Sequence, residues 1–268
     1  MYTLNNGFST SKATERQHQK YLNELLAPTT NKLLESIHFS KRAKVLHLGC
    51  STGFVTFQLE KKIGSSGQIT GVDKNQINLD TAQEKLNFLQ LPNVNFSFFS
   101  SAEWKRKSDY NVIYSRLFFN QLKHPKEVLR SVKRFLKSGG VIVIEDIDFS
   151  NYYCFPHCYA FDRYFELFIS LKQRKQQDAK VGSKLLAYLK DAGFQDVKAQ
   201  MIAPSFLSTN NKPITSLSLE SISEELLKEN LISKSELQAL LFEIKDFESR
   251  SDTMITLPSI YQVSGFCP

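Results

Sequence analysis

Four cysteines in 268 residues, at positions 50, 154, 158 and 267, are too few for a disulfide-stapled scaffold. Glycine and proline are also sparse, at 11 and 8 residues, and 41% of the chain is apolar, which excludes collagen-like and disordered classes. No apolar run approaches the roughly 18 residues of a membrane span; runs such as 141–144 are strand-sized. The first 30 residues lack the apolar stretch of a signal peptide, so the expectation is a cytoplasmic protein with free thiols. Cys154, His157 and Cys158 are zinc ligands by type. Three such residues without a second Cys-x-x-Cys or a His pair do not complete a tetrahedral set, so no metal is expected. The charge, 34 Lys and Arg against 27 Asp and Glu, leaves +7, which admits nucleic acid, an anionic surface or plain solubility.

What is present is a change of pattern near Lys44. Residues 1–10 are polar without a period. A helix is predicted over 11–26, with Tyr21, Leu22, Leu25 and Leu26 in register and Pro28 as its stop, and a second short helix over 30–37. From there strands and helices alternate, the signature of a parallel sheet covered by helices. Strands are predicted at 45–48, 68–72, 93–98, 110–114 and 141–144, and helices at 54–63, 76–89 and 125–136. Beyond Asp148 come an aromatic segment at 149–159 and helices at 160–173 and 182–192. A strand at 195–203, one or two helices within 216–248 and a last strand at 259–266 complete the pattern.

The sharpest motif is Val45-Leu46-His47-Leu48-Gly49-Cys50-Ser51-Thr52-Gly53, a buried strand running into a glycine-flanked turn and then a helix. Glycine lets the backbone turn tightly and a ligand approach closely. Asp73 ends the next strand, where a carboxylate can accept two ribose hydroxyls. Three other ligand classes fit poorly. A dinucleotide loop needs G-x-G-x-x-G, but Ser51 and Phe54 stand at its second and third glycines. A P-loop needs Lys-Ser/Thr where Phe54-Val55 stands. The literal G-x-S-x-G around Ser51 follows too few strands for a hydrolase elbow and lacks an upstream oxyanion segment.

Residues 42–148 resemble the class I S-adenosylmethionine-dependent methyltransferases of small-molecule type, whose first motif reads V-L-D-L-G-C-G-T-G. Four further blocks follow in order. The stretch 64–73 resembles the second strand with its ribose carboxylate. Ser101-Ala102-Glu103 resembles the D-A-E segment beside the adenine. The stretch 110–125 resembles the fourth strand and its continuation, and Leu136-Lys137-Ser138-Gly139-Gly140 with 141–148 resembles the L-K-P-G-G turn and fifth strand. The resemblance implies a doubly wound, Rossmann-like, seven-stranded sheet, mostly parallel with an antiparallel last strand, and a helical insert covering the acceptor site. It implies S-adenosyl-L-methionine as cofactor, held by His47, Gly49, Cys50, Ser51, Gly53, Asp73, Lys74, Ser101, Ala102, Glu103, Ser115 and Arg116. His47 replaces the family's Asp, a carboxylate near the cofactor's ammonium, and Ser51 replaces its middle glycine.

The expected organisation is N-terminal helices at 1–40, a cofactor-binding core at 41–150, an aromatic substrate cover at 151–180, and the rest of the sheet at 181–268 with its helical insert at 216–248. Strand ends offer Arg116 to hold an acidic acceptor, and Glu145, Asp146 and Asp148 beyond the fifth strand, with Asp146 or Asp148 as a candidate base. The expected function is methylation of a small-molecule acceptor. A catalytically weakened cofactor-binding protein and an RNA or protein methyltransferase remain as alternatives. Lys123, Lys126, Arg130, Lys133, Arg134 and Lys137 form the basic stripe that a nucleic-acid partner would need, although a solvated helix back is the commoner meaning of such a stripe and a small-molecule acceptor is the expected partner.

Overall fold

The computed structural model describes residues 12–99, 110–206 and 213–268. The chain divides into two compact units.

The sheet unit takes the described residues of 28–151, together with 176–204 and 258–268. Its strands are β1 (Lys44–Leu48), β2 (Gln68–Asp73), β3 (Val94–Phe98), β4 (Tyr110–Arg116), β5 (Leu136–Asp148), β7 (Gln195–Ile202) and β10 (Ser259–Phe266). They form one seven-stranded sheet in the order β3-β2-β1-β4-β5-β10-β7. β1 to β5 pair in parallel, and β10 runs antiparallel to both its neighbours. This is the doubly wound α/β sheet that the alternating pattern predicts. The order reverses between β1 and β4, which opens a crevice at the carboxyl ends of those two strands.

Apolar side chains leave each strand on alternate faces, so the sheet has two cores. On one face Val45, Ile69, Val112, Tyr114 and Val143 pack with Leu33 and Leu34 of α1 (Lys12–Ser36), α2 (Phe54–Ile63) and Leu86 of α3 (Gln76–Leu89). On the other, Leu46, Leu48, Ile113, Ile142 and Ile144 pack with Leu129 and Val132 of α4 (Pro125–Lys133) and Leu185 and Leu189 of α6 (Val181–Asp191).

Three expectations need correction. Pro28 does not stop the first helix: α1 is one helix of 25 residues with the proline inside it. A proline in a helix interior costs about 3 kcal/mol, and burial of Leu26, Thr30, Leu33 and Leu34 along the same helix offsets that cost. The helix predicted over 125–136 ends at Lys133, because the amides of Arg134 and Phe135 bond tightly back to Ser131 and Val132 and release Leu136 into β5. β5 itself is 13 residues long rather than four. Its pairing with β4 jumps from Tyr110–Leu136 to Val112–Val141, so 137–140 bulge from that ladder. Glu145, Asp146 and Asp148 are therefore within the strand and not beyond it, opposite Gln262, Tyr261 and Ser259 of β10.

The helical unit takes the described residues up to 27, together with 152–175 and the described residues of 205–257. It contains α5 (Tyr159–Arg174), α7 (Ile214–Lys228), α8 (Lys234–Ser249) and a small antiparallel sheet in the order β6-β9-β8. Those short strands are β6 (Cys154–Phe155), β9 (Met254–Thr256) and β8 (Ser205–Phe206). Tyr152 stacks on Phe161 at 4.7 Å and bonds Thr215 through its hydroxyl, and Phe161 and Tyr164 are buried. The aromatic segment expected to cover the substrate thus supplies part of this unit's own core. Tyr153, Phe155 and Tyr159 remain exposed. The expected segment 181–268 is shared between the two units.

Candidate functional site

The turn after β1 is built by three left-handed residues: Gly49, Ser51 and Gly53, at φ of 69°, 49° and 78°. A Cβ on Gly49 would stand 2.7 Å from the Phe118 ring, and one on Gly53 would stand 2.9 Å from Phe57 and Phe96. Glycine is required at both by conformation and by space. The amides of Gly49 and Cys50 both donate to the Val72 carbonyl, at 2.9 and 3.1 Å, which anchors the turn beside β2.

Ser51 is the exception. A side chain in this region costs about 1–2 kcal/mol, and a hydrogen bond from the Ser51 amide to Asp73 Oδ2 at 2.8 Å holds it there. Asp73 Oδ1 accepts from the Asn75 amide at 2.9 Å. One carboxylate thus ties the glycine turn to the turn that opens α3. Each of its oxygens has a second lone pair, so the same group can also accept from a diol. Lys74 follows it and is exposed. Cys50 is buried, and burial together with the Asp73 charge pushes its thiol well up, so it is no nucleophile.

His47, in β1, is 2% exposed. Its Nδ1 shares a hydrogen bond with Thr56 Oγ1 at 2.8 Å, and its ring meets Tyr114 edge-on at 5.3 Å. Burial, with the charge of Arg116 second, pushes its pKa down to about 3, so the imidazole is neutral at pH 7. Arg116 ends β4; its guanidinium donates to Thr30 Oγ1 at 3.2 Å and lies 6.0 Å from the Phe54 ring. Ser115 points to the opposite face, fully buried, and its hydroxyl stitches β4 to the Leu48 carbonyl at 3.2 Å. Ser101, Ala102 and Glu103 lie outside the described residues.

The acidic residues of β5 separate by face. Glu145 is buried: Oε1 accepts from the Tyr114 hydroxyl, and Oε2 accepts from Gln262 Nε2 at 2.6 Å. Gln262 also reaches the Thr29 carbonyl at 3.3 Å and accepts from Gln200 at 2.6 Å. The sequence reading missed Tyr114, Gln262 and Thr30. A buried Tyr and Gln inside apolar strand runs are a weak signal of such a network, but their partners depend on a register that only the folded sheet sets.

Asp146 faces the other way and is fully buried. Its oxygens accept from the amides of Phe119, Asn120 and Ile147 at 2.7, 3.3 and 2.9 Å and from Asn120 Nδ2 at 2.8 Å. Burial pushes it up to about 6 against those bonds. For Asp148 burial acts upward too, but bonds from Ser150 and Ser183 and the Lys180 charge hold it below the ordinary carboxylate range. Both carboxylates therefore serve as anchors for the chain around them.

The basic stripe is partly spent within the sheet unit. Lys126 pairs with Asp191 at 3.2 Å and lies over Tyr188, and Lys133 caps the end of α6 through the Ala192 and Gly193 carbonyls. His157 bonds Asp162 at 2.6 Å. Among the described residues no three His, Cys, Asp or Glu side chains group as metal ligands, and no helix is long and apolar enough to cross a membrane.

Comparison with known proteins agrees with this geometry. A protein-family profile described as a methyltransferase domain matches residues 39–193, more than half of the chain. Arsenite methyltransferase of Rattus norvegicus is 27% identical over 118 residues, covering 40% of this chain and 32% of that protein. Malonyl-[acyl-carrier protein] O-methyltransferase of Bacillus cereus is 33% identical over 100 residues, 37% of this chain and 36% of that protein. The matched stretch is thus about a third of each of these relatives. Phosphoethanolamine N-methyltransferase 2 of Haemonchus contortus, solved with S-adenosyl-L-methionine, superposes with a TM-score of 0.56 at 16% identity. That superposition covers 94% of this chain and 52% of that one, and at such identity it shows likeness of fold alone. By its glycine turn, its strand order and a profile match over more than half its length, this chain belongs to the methyltransferase domain family, with the fold of the class I S-adenosylmethionine-dependent enzymes.

Proposed function

We propose that this protein binds S-adenosyl-L-methionine and transfers its methyl group to a small-molecule acceptor. The observation that carries the reading is Asp73, buried at the end of β2 and bonded to the backbone of the left-handed glycine turn that follows β1. The donor set fits: a tight left-handed turn after β1, a carboxylate with spare lone pairs bonded to it, and a position beside the switch between β1 and β4. When bound, the cofactor supplies an electrophilic methyl on a sulfonium.

The chain's own part is positioning, and orientation alone can lower a displacement barrier by about 7–11 kcal/mol. Asp73 accepts the ribose hydroxyls, Gly49 and Gly53 let the backbone turn tightly beside it, and Ser101, Ala102 and Glu103 are assigned to the adenine by resemblance. Arg116 borders the far end of the cofactor. The oxygens of Asp146 and Asp148 already serve backbone amides, so neither is assigned as base. Within the helical unit, the exposed Tyr153, Phe155 and Tyr159 suit an apolar partner. Titration with S-adenosylhomocysteine tests the binding half: saturable heat supports it, and no heat at millimolar ligand refutes it.

A second reading is favoured by His47, a neutral residue where the resembled motif has a carboxylate. In that reading the protein binds cofactor without turnover. Methyl transfer to any member of an acceptor panel decides against it.

A further inference from the structure

We infer that this chain grips the methionine end of its cofactor by the carboxylate, at Arg116, and leaves the ammonium without a charged partner at His47. The inference rests on the cofactor reading above and adds which of two opposite charges the site recognises.

The sheet gives the direction. A ribose held by Asp73 sits at the end of β2, and the next strands across the sheet are β1 and then β4. The rest of the ligand, passing over the glycine turn, meets the ends of those two strands. His47 pairs in register with Tyr114, and Arg116 lies two residues further along β4, so all three share one face. The guanidinium lies 6.0 Å from the ring of Phe54, the residue that follows Gly53. Arg116 is thus at the rim of the turn itself.

Besides Asp73, assigned to the ribose, and Tyr114, three ionisable side chains among the described residues share this face at the strand ends. Arg116 carries a positive charge and five N–H donors in a fork that matches a carboxylate. His47 is buried and its Nδ1 is committed to Thr56, so any bond to a ligand falls to Nε2. In the neutral state such a nitrogen offers one hydrogen bond and no net attraction for an ammonium. Glu145 has both oxygens engaged, by Tyr114 and Gln262. A ligand bearing one carboxylate and one ammonium is therefore attracted through the first and only hydrogen-bonded through the second. The Tyr114–Glu145–Gln262 chain and Thr30 then act as positioning residues that hold β4, β5, β10 and α1 around Arg116.

The test uses the full chain, calorimetry and four probes: S-adenosylhomocysteine, its decarboxylated form, its deaminated form, and 5′-methylthioadenosine, which lacks the amino-acid end altogether. Loss of the carboxylate is expected to weaken binding by about 10- to 100-fold, and loss of the amino group by less than about 5-fold. In Arg116→Met the carboxylate effect shrinks to within about 3-fold, with 5′-methylthioadenosine reporting whether the adenosine end is still formed. In His47→Asp the amino group regains weight, and the deaminated probe binds about 10-fold less tightly than S-adenosylhomocysteine. If wild type binds S-adenosylhomocysteine but deamination hurts as much as decarboxylation, the inference is wrong and the cofactor reading stands. If neither S-adenosylhomocysteine nor 5′-methylthioadenosine binds, both are wrong.

Discussion

Glu248, in the last turn of α8, offers a sharp perturbation because one of its oxygens accepts two backbone amides. Oε1 accepts from the amides of Thr215 and Ser216 at 3.1 and 2.9 Å, capping the start of α7, and the side chain is buried. Glu248→Gln keeps that oxygen and both bonds while removing the charge. Burial pushes the carboxyl from 4.5 up to about 7, against the pull of Ser216, Thr215 and Lys245. A folded pKa above the unfolded value means that the native state holds the proton more tightly. The associated stability is complete below about pH 4.5 and is lost as pH rises through 7. A rise of that size corresponds to about 3 kcal/mol at full ionisation. The helix macrodipole favours the charged cap and returns about 0.5–1 kcal/mol, so the expected span is about 2–3 kcal/mol. Urea unfolding of wild type and variant at pH 4.5, 6 and 8 reads it, because other titrating groups cancel in the difference. The variant should be nearly equal to wild type at pH 4.5 and more stable at pH 8 by that span. A difference that stays flat, or that favours wild type at pH 8, would refute the reasoning.

Other outcomes follow from the same kind of argument. Asp146→Ala strands the buried amides of Phe119 and Asn120 and should lower stability by about 1–3 kcal/mol while leaving the affinity for S-adenosylhomocysteine within about twofold; unchanged stability with lost catalysis would instead make it a base. Ser51→Gly relieves a left-handed serine and should stabilise the fold by about 1 kcal/mol in thermal or chemical unfolding, and a destabilised variant would show that the Ser51 side chain is needed.

Much of the sheet unit was legible because its signals are local. Alternating apolar runs marked β1 to β5, and Gly49, Gly53 and Asp73 lie close enough in sequence to be read as one device. Resemblance added the order of the blocks. What escaped depends on distant partners. Pro28 reads as a stop from its intrinsic cost, and only the buried positions on either side of it keep α1 whole. Glu145, Asp146 and Asp148 read as the end of a strand because they are acidic. They are strand residues because β10, more than a hundred residues later, pairs with them, and because Tyr114, Gln262, Asn120 and Ser150 satisfy their oxygens. The aromatic tract from Tyr152 to Phe168 has a helical period that suits a core and a lid equally. Burial of Tyr152, Phe161 and Tyr164 decides for the core at those positions.

The central claim is that Gly49–Gly53 and Asp73 form a cofactor cradle, and its most direct test is calorimetric titration of wild type and Asp73→Ala with S-adenosylhomocysteine. Asp73 accepts from two backbone amides and is assigned two ribose hydroxyls. Losing two bonds to a charged acceptor, with the turn they hold, is expected to weaken binding by about 100-fold or more. The account predicts saturable one-to-one binding by wild type and that loss in the variant. Equal affinity of the two proteins, or no binding by either at millimolar ligand, would contradict it.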